Sequence, residues 1–598
     1  MGEYKVDLRD IRFVLKEQLR VDELTATGPY SEYSWDDFDM VITEAAKFAG
    51  EVVFPLQQTV EENHPKFENG RVTLPPHYHK VFKSYNKQGW GNVSLSPDLG
   101  GQGLPEVIGA TVMELFIGAC PSFTFVPGLA RAAGRVIETV GSPEQIEKYV
   151  TKMYTGIWGG TMCLTEAQAG SAVGDLRTQA TKQDDGQYTI KGSKIFISAG
   201  DHDLMDNIVH LVLGRTPDAP AGIKGVSLFI VNSVRDNGEN NDVAVTAVEH
   251  KMGIHGSPTC SLSFGDNDEC IGEIIGGEGE GIQHMFIMMN EARLAVGLQG
   301  SAIANLSYQM ALDYAKERVQ GVDVAAMKDP TAERVAIIKH PDVRRMLMES
   351  KALAEGTRAL LLATASFHDR SQLTENANEK QRLEHLVEVL TPICKSWGST
   401  RGFDVADLAI MVHGGYGYIR EYAVEGLLRD VKIAAIYEGT NGIQALDLLG
   451  RKVARKGGLM FMSTIGWINE FVAANKEHET LSDLVAKLDA AKNTLAQITM
   501  SLGQQSRGGD LYYPVLNASP YLEMFGDVVV AKLLIEQAAI AAKHIAEDDD
   551  EEMSQGEWKF YRGKIATAKF FANRLLPRVE MFATVIRSGD RSALEMDF

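Results

Sequence analysis

Glu438 stands alone in a small and apolar stretch, Ile436-Tyr437-Glu438-Gly439-Thr440. A carboxylate there has two possible fates. It can face water at a helix end, the commoner fate of a lone glutamate. Or it can sit in a pocket whose low polarity raises its pKa and makes it a base near neutral pH. The surrounding segment, residues 411–450, reads as glycine turn, helix, short break, helix, with Arg429 and Asp430 closing the first helix. Gly414, Gly415 and Gly417 interrupt two apolar helical runs, and a Gly-Gly pair lets another group approach the backbone closely. Three further places could serve a bound molecule. Cys163-Leu164-Thr165-Glu166-Ala167-Gln168-Ala169-Gly170-Ser171 offers hydroxyls and backbone donors, although it reads equally well as a strand leaving through a small-residue turn. Phe196-Ile197-Ser198 sets an aromatic face near a hydroxyl, although a strand phenylalanine more often fills a core. Arg318 follows Asp313-Tyr314-Ala315-Lys316-Glu317 and, taken alone, is a solvated helix residue.

Composition narrows the function classes. The chain has 598 residues, 44% hydrophobic and 23% charged, with a formal net charge of −21. This is a globular composition long enough for several domains. It lacks the basic face that nucleic-acid binding requires. The five cysteines are scattered and odd in number, with no C-x-x-C spacing, which points to a reducing compartment and away from disulfides or a metal site. The first residues are polar rather than an apolar leader, and no run is long enough to span a membrane. The expectation is a cytoplasmic protein without a membrane span or a metal.

The elements that must position these residues follow from periodicity. A mixed arm, residues 1–35, ends in Tyr30, Tyr33 and Trp35. A helical domain, 36–160, begins where Phe38, Val41, Ile42, Ala45, Phe48 and Val52 recur at helical spacing, and Pro55 is expected to end that helix. Residues 97–105 form a glycine-rich loop, and Ser142 with Pro143 marks a helix start. From 161 to 281 the period changes to short β-rich runs at 188–191, 194–197, 208–213, 226–231, 243–248 and 259–264, predicting an antiparallel sandwich or barrel. Helical spacing returns over 282–450, with Arg344, Arg345 and Lys351 beside Leu347, Leu353 and Leu360 and a polar break at 374–381. A further helical block, 451–598, carries one apolar stripe of Leu522, Phe525, Val529 and Leu533, and the acidic run 547–552 reads as a solvated loop. The fold class is α+β, mainly α: an N-terminal helical domain, a middle antiparallel β domain, a four-helix bundle and an extra C-terminal helical domain.

His413-Gly414-Gly415-Tyr416-Gly417-Tyr418, Leu428-Arg429-Asp430 and Tyr437-Glu438-Gly439-Thr440 closely resemble the C-terminal active-site segment of the acyl-CoA dehydrogenases, FAD enzymes that oxidise acyl-CoA thioesters. The loop 97–105 and Gly141-Ser142-Pro143-Glu144 resemble that family's N-terminal domain. The likeness covers residues 36 to about 450. A long subfamily has both an extra arm and an extra C-terminal block. It includes enzymes similar to 3-methylmercaptopropionyl-CoA dehydrogenase. Glu317-Arg318-Val319-Gln320-Gly321 and His340-Pro341-Asp342-Val343-Arg344-Arg345-Met346-Leu347 look like that subfamily.

The resemblance implies the site residues. Glu438 is the base. Leu164, Thr165, Ser171, Phe196, Ser198, Arg318, Gly414, Gly415 and Thr440 contact the FAD, Arg318 across a subunit boundary. Ser171, Asn290, Arg293, Tyr437 and Gly439 face the acyl-CoA. Several positions depart from the family pattern. Ala167 and Ala172 replace a proline and an aspartate in the 165–172 loop, Met411 replaces a glutamine, and Gln320-Gly321 lacks an intervening phenylalanine. Some relatives place their base just before Arg293, where this chain has Ala292. Glu291 is one residue off and about 100° round the helix.

The implied reaction is α,β-dehydrogenation of an acyl-CoA to a trans-2-enoyl-CoA within fatty-acid metabolism. Glu438 removes the α-proton and the β-hydride passes to flavin N5. The Glu438 amide and a flavin hydroxyl bind the thioester oxygen, and an electron-transfer flavoprotein takes the electrons. The implied assembly is a homo-oligomer, at least a dimer. Two alternatives stay open: an acyl-CoA oxidase that uses oxygen, and a non-catalytic, nucleic-acid-binding flavoprotein of the same fold, which the acidic charge disfavours.

Overall fold

The computed structural model describes residues 3–26, 28–548 and 553–598. Residues 549–552 of the acidic run, and Met1 and Gly2 at the polar start, lie outside the described residues. The chain divides into two compact units, one of residues 41–292 and one of residues 1–40 with 293–598.

In the 41–292 unit, helices Glu106–Ala119 and Pro121–Val140 accompany a sheet. A short hairpin, β1 Lys66–Glu68 with β2 Arg71–Thr73, stands apart from that sheet. The sheet contains β3 Trp158–Cys163, β4 Gln179–Lys182, β5 Tyr188–Ser198, β6 Asn207–Gly214, β7 Ser227–Asn232, β8 Val243–Val248, β9 Thr259–Phe264 and β10 Ile271–Ile274. The strand order is β3-β6-β7-β10-β5-β9-β8, with β4 on β5. Side chains alternate faces along a strand, and the burial shows it. Val209, Leu211, Leu213, Leu228 and Ile230 join Ala133, Val136 and Ile137 of the 121–140 helix in one core. Val212, Phe229 and Val231 join Tyr188, Ile190, Leu262 and Phe264 in another.

Three expectations need correction. The sheet is not wholly antiparallel, because β3 pairs with β6 in parallel, Trp158 opposite Asn207. A parallel pair needs a long crossover, and the intervening β4 and β5 supply it. Pro55 does not end its helix. A π-turn at Ala49–Val53 leads into the helix Phe54–Glu62 with Pro55 in its first turn, where a missing N–H costs nothing. The polar break near 374–381 is shorter than expected, since Asn376 accepts from the Asn378 and Glu379 amides and starts the next helix at Ala377. The Ser142 start is as expected, with a reciprocal Ser142–Gln145 capping box.

In the other unit, helices Pro341–Leu373 and Ala377–His413 pack with Ala518–Ala546 and the later part of Gly281–Glu317. Gly300 makes one crossing possible. A Cβ there would lie 2.3 Å from the Gly398 carbonyl oxygen, so only glycine lets the 281–317 and 377–413 helices approach so closely. The C-terminal block also packs on the 377–413 helix. Leu522, Phe525, Val529 and Leu533 are buried, and Trp397 donates to Asp527 at 3.0 Å. The N-terminal segment is no loose arm. Asp10 is buried against Arg358 and Lys564. Among the described residues, no helix is long and apolar enough to cross a membrane.

Candidate active site

The first group of expected site residues lies in the 41–292 unit. Leu164 and Thr165 leave β3 alongside β5. The Leu164 carbonyl accepts from Lys194 Nζ at 3.1 Å and the Thr165 carbonyl from the Ile195 amide at 2.9 Å. The β5–β9 register slips between Lys194 and Ile197. Such a bulge bends the strand and re-aims a side chain. Phe196, at φ 60°, is thereby turned out of the core and left 60% exposed. Ser198, half-buried, closes β5.

Glu166 holds the loop that follows, despite Ala167 and Ala172. Its carboxylate accepts from Lys194 Nζ at 2.8 Å, from the Thr178 hydroxyl and amide at 2.6 and 3.0 Å, and from the Arg177 amide at 2.6 Å. Burial alone would raise this carboxyl, but Lys194 and these donors draw it down to about 2. Ser171 is exposed and Asn290 half-buried. Burial raises the Glu291 carboxyl, yet it is committed to Arg131, 3.2 Å away.

The second group lies in the other unit. Glu438 has φ 55° and Gly439 φ 81°. Two successive left-handed residues make a tight turn, and the left-handed region is strained for glutamate. The turn is held from below. Gln444, fully buried, donates to the Glu438 carbonyl at 3.1 Å and the Gly439 carbonyl at 3.3 Å. Thr440 caps the helix Asn441–Asp447, accepting from the Ile443 amide at 3.2 Å. Tyr437 donates to Gln299.

Nothing among the described residues bonds to the Glu438 carboxyl or its backbone N–H. Burial pushes the carboxyl up to about 7, while the positive charges of Lys395 and Arg293 pull against that rise. The side chain stays partly accessible to solvent, so the shift reflects crowding around its carboxyl rather than full removal from water. Arg293 is not a free fork for a ligand. It is buried and its Nη1 lies 2.8 Å from Asp447.

Lys395, Asn441 and Gln444 escaped the sequence reading. Lys395 had a signal, a lone cation in the apolar helical run Leu390-Thr391-Pro392-Ile393-Cys394-Lys395-Ser396-Trp397. Asn441 and Gln444 had none, since polar residues after a helix start are ordinary.

Arg318, Gly414 and Gly415 converge elsewhere in this unit, on a cavity of about 640 Å³ lined also by Tyr314, Gln320 and His413. Arg318 lies just past its helix, its guanidinium 5.6 Å from the centre of the Tyr416 ring. A Cβ at Gly414 or Gly415 would meet no atom within 4 Å, and Gly414 has φ 63°. A cation, an aromatic ring and open backbone suit a phosphate-bearing ligand. Glu438 does not line this cavity.

Comparison with known proteins covers the whole chain. The N-terminal, middle and C-terminal domain models of acyl-CoA dehydrogenase match residues 36–157, 161–267 and 279–453. A model described as acetyl-CoA dehydrogenase C-terminal like matches residues 464–597. A 3-methylmercaptopropionyl-CoA dehydrogenase of Ruegeria pomeroyi is 39% identical over 586 residues, covering 96% of each chain. A broad-specificity linear acyl-CoA dehydrogenase of Mycobacterium tuberculosis is 36% identical, covering 100% of this chain and 99% of its own. The structure of an acyl-CoA dehydrogenase complexed with FAD from Bacillus anthracis has a TM-score of 0.75 at 20% identity, covering 95% of this chain and 91% of that one.

Proposed function

The chain belongs to the acyl-CoA dehydrogenase family, and on that premise we propose that Glu438 is the base that takes the α-proton of an acyl-CoA thioester. The family makes it an FAD-dependent oxidoreductase. Each unit, taken by itself, has residues that fit part of that group. Arg318 with the open backbone of Gly414 and Gly415 would hold its pyrophosphate and adenosine half. Thr165, Ser198 and the outturned Phe196 would serve its ring. Bound there, FAD accepts a hydride equivalent.

One observation carries the reading: the Glu438 carboxyl is crowded, unbonded and poised near neutral pH. A base must be ionised to act and free to accept, and Glu166, saturated by donors, could do neither task. Glu438 bonds the α-proton as the substrate C–H breaks. Its unbonded N–H would donate to the thioester oxygen as charge develops there. The strained turn fixes both groups on one residue, so one backbone conformation orients the carboxyl and the amide together. The product on this reading is a trans-2-enoyl-CoA, and an electron-transfer flavoprotein takes the electrons.

On this reading Arg318 would hold the cofactor of a neighbouring subunit, and the assembly would be a homo-oligomer. A monomer by light scattering with full FAD occupancy would contradict that. The five cysteines are all buried and none is joined in a disulfide, in keeping with a reducing, cytoplasmic setting.

Anaerobic mixing with a panel of acyl-CoAs tests the activity. At least one should bleach the flavin and yield the 2-enoyl product; no bleaching by any of them would sink the proposal. Rapid aerobic peroxide release would instead identify an oxidase.

A further inference from the structure

We propose that Lys395 is a positioning residue for the proton abstraction: held back by Asn441, its ammonium keeps Glu438 ionised through space without bonding to it. This rests on the reading of Glu438 as the base.

Lys395 is fully buried on the helix Ala377–His413. Its Nζ lies 3.0 Å from Asn441 Oδ1, and among the described residues it makes no ion pair within 4 Å. A buried ammonium with one neutral acceptor is costly unless a charge lies near. Glu438 supplies that charge: burial pulls Lys395 down to about 7 and pushes Glu438 up to about 7, and each group's charge opposes the other's shift. Opposite charges that feel each other in a buried setting ordinarily close into a salt bridge, and among the described residues these two do not. Asn441 prevents it. Its Oδ1 also accepts from Ser399, and its Nδ2 donates to the Ser396 carbonyl at 3.3 Å and to Thr400 at 3.1 Å. Asn441 is therefore pinned to the same helix as Lys395, and it anchors the ammonium three residues from the base.

The separation has a chemical consequence. A direct salt bridge would occupy the carboxylate lone pairs and hold the pKa far below neutrality, leaving a poor base. With no cation at all, burial would leave the carboxyl protonated at neutral pH. An ammonium kept beyond bonding distance offsets part of the desolvation and leaves the lone pairs free. Lys395 transfers nothing in this step; the proton passes from the substrate carbon to Glu438. The other groups facing the pair are Arg293, already matched by Asp447, and Tyr437, whose hydroxyl burial and the Glu438 charge both keep protonated.

Two readouts test the proposal. One is the pH dependence of flavin reduction by a saturating acyl-CoA in the holoenzyme. The other is the infrared titration of the Glu438 carboxyl without substrate, identified by difference against Glu438→Gln. Lys395→Met should move both midpoints up by about one unit or more. Lys395→Arg should leave them within about 0.3 unit, a shift worth only tenths of a kcal/mol. Asn441→Leu releases the ammonium toward Glu438, so both midpoints should fall. A purely structural role for Lys395 would lower the rate at every pH and move neither midpoint, and that result overturns the proposal. If Lys395→Met does not fold, Asn441→Leu decides, and an unchanged or raised midpoint overturns it. Failure of the underlying reading looks different: Glu438→Gln would then keep its turnover.

Discussion

Two glutamates in this chain have opposite surroundings. Glu166 sits in the 41–292 unit with a lysine, a hydroxyl and two backbone amides on its oxygens, and its pKa is drawn down to about 2. Glu438 sits in the other unit with no donor on its carboxyl, and its pKa is pushed up to about 7. The same functional group is a structural anchor in one place and a candidate base in the other. Burial alone does not separate them, because it pushes both upward. The donors do. A carboxylate whose lone pairs are filled shapes a loop; one whose lone pairs are empty can accept a proton.

Glu438→Gln is the strongest way to break this contrast. Glutamine keeps the size and the hydrogen-bonding ends but cannot accept the α-proton. The rate of anaerobic flavin bleaching should fall by about 10⁴-fold, at the top of the usual general-base contribution. Binding of FAD and acyl-CoA should persist. A variant that bleaches within about tenfold of wild type, well inside that contribution, would show that the contrast has no catalytic meaning, and Glu291 would be tested next.

Lys194→Met probes the anchor. It strands a buried carboxylate, and breaking a buried pair costs about 3–5 kcal/mol. Thermal or denaturant unfolding should show that loss, and FAD should be retained less well because the 164–171 segment loses its tie to β5. Full stability would mean that the remaining donors suffice. Acid should act on the same anchor. The Glu166 pKa is depressed from its ordinary value of 4.5 to about 2. Its contribution to stability is therefore present above pH 4.5 and lost as pH falls toward 2. Glu166→Gln should flatten that part of the stability profile.

Activity should respond in a different window. Glu438 must be ionised to act, and its pKa lies near 7. Flavin reduction should therefore rise with pH and level off above about 7, falling roughly tenfold per unit below the midpoint. A midpoint near the ordinary glutamate value would mean that bound substrate and FAD cancel the crowding seen here.

The smallest expected effect concerns the turn. Gly439 has φ 81°, and a Cβ there would lie 2.9 Å from Gln444 Nε2. Gly439→Ala should cost about 1–2 kcal/mol of stability, the usual penalty for a side chain in the left-handed region. It should also slow flavin reduction by moving Glu438. An unchanged rate would show that the base does not depend on its strained backbone.

Much of the architecture was legible in the sequence because periodicity reports burial directly. The β runs and the stripe of Leu522, Phe525, Val529 and Leu533 fall where apolar residues repeat every two or three to four positions. Glu438 was visible as an isolated charge in an apolar stretch. What periodicity could not report was connection. The parallel β3–β6 pair joins strands whose sequences look like their antiparallel neighbours, and the Ala49–Val53 π-turn absorbs a proline that would otherwise stop a helix. Phe196 taken alone read more readily as a core residue than as a ligand contact, and only the bulge between Lys194 and Ile197 turned it outward.

Sequence by itself determined which residues carry charge, which stretches are helical or extended, and that a lone glutamate follows a glycine turn. Tertiary structure alone decided that Glu166 is saturated and Glu438 is not. Lys194, Thr178 and Arg177 reach one carboxylate from separate strands and turns. Lys395 reaches the neighbourhood of the other from a helix more than forty residues away in the chain, and Asn441 holds it back. A pKa is a sum over neighbours in space, and a carboxylate's neighbours are set by how strands register and helices cross, which no local pattern of residues encodes.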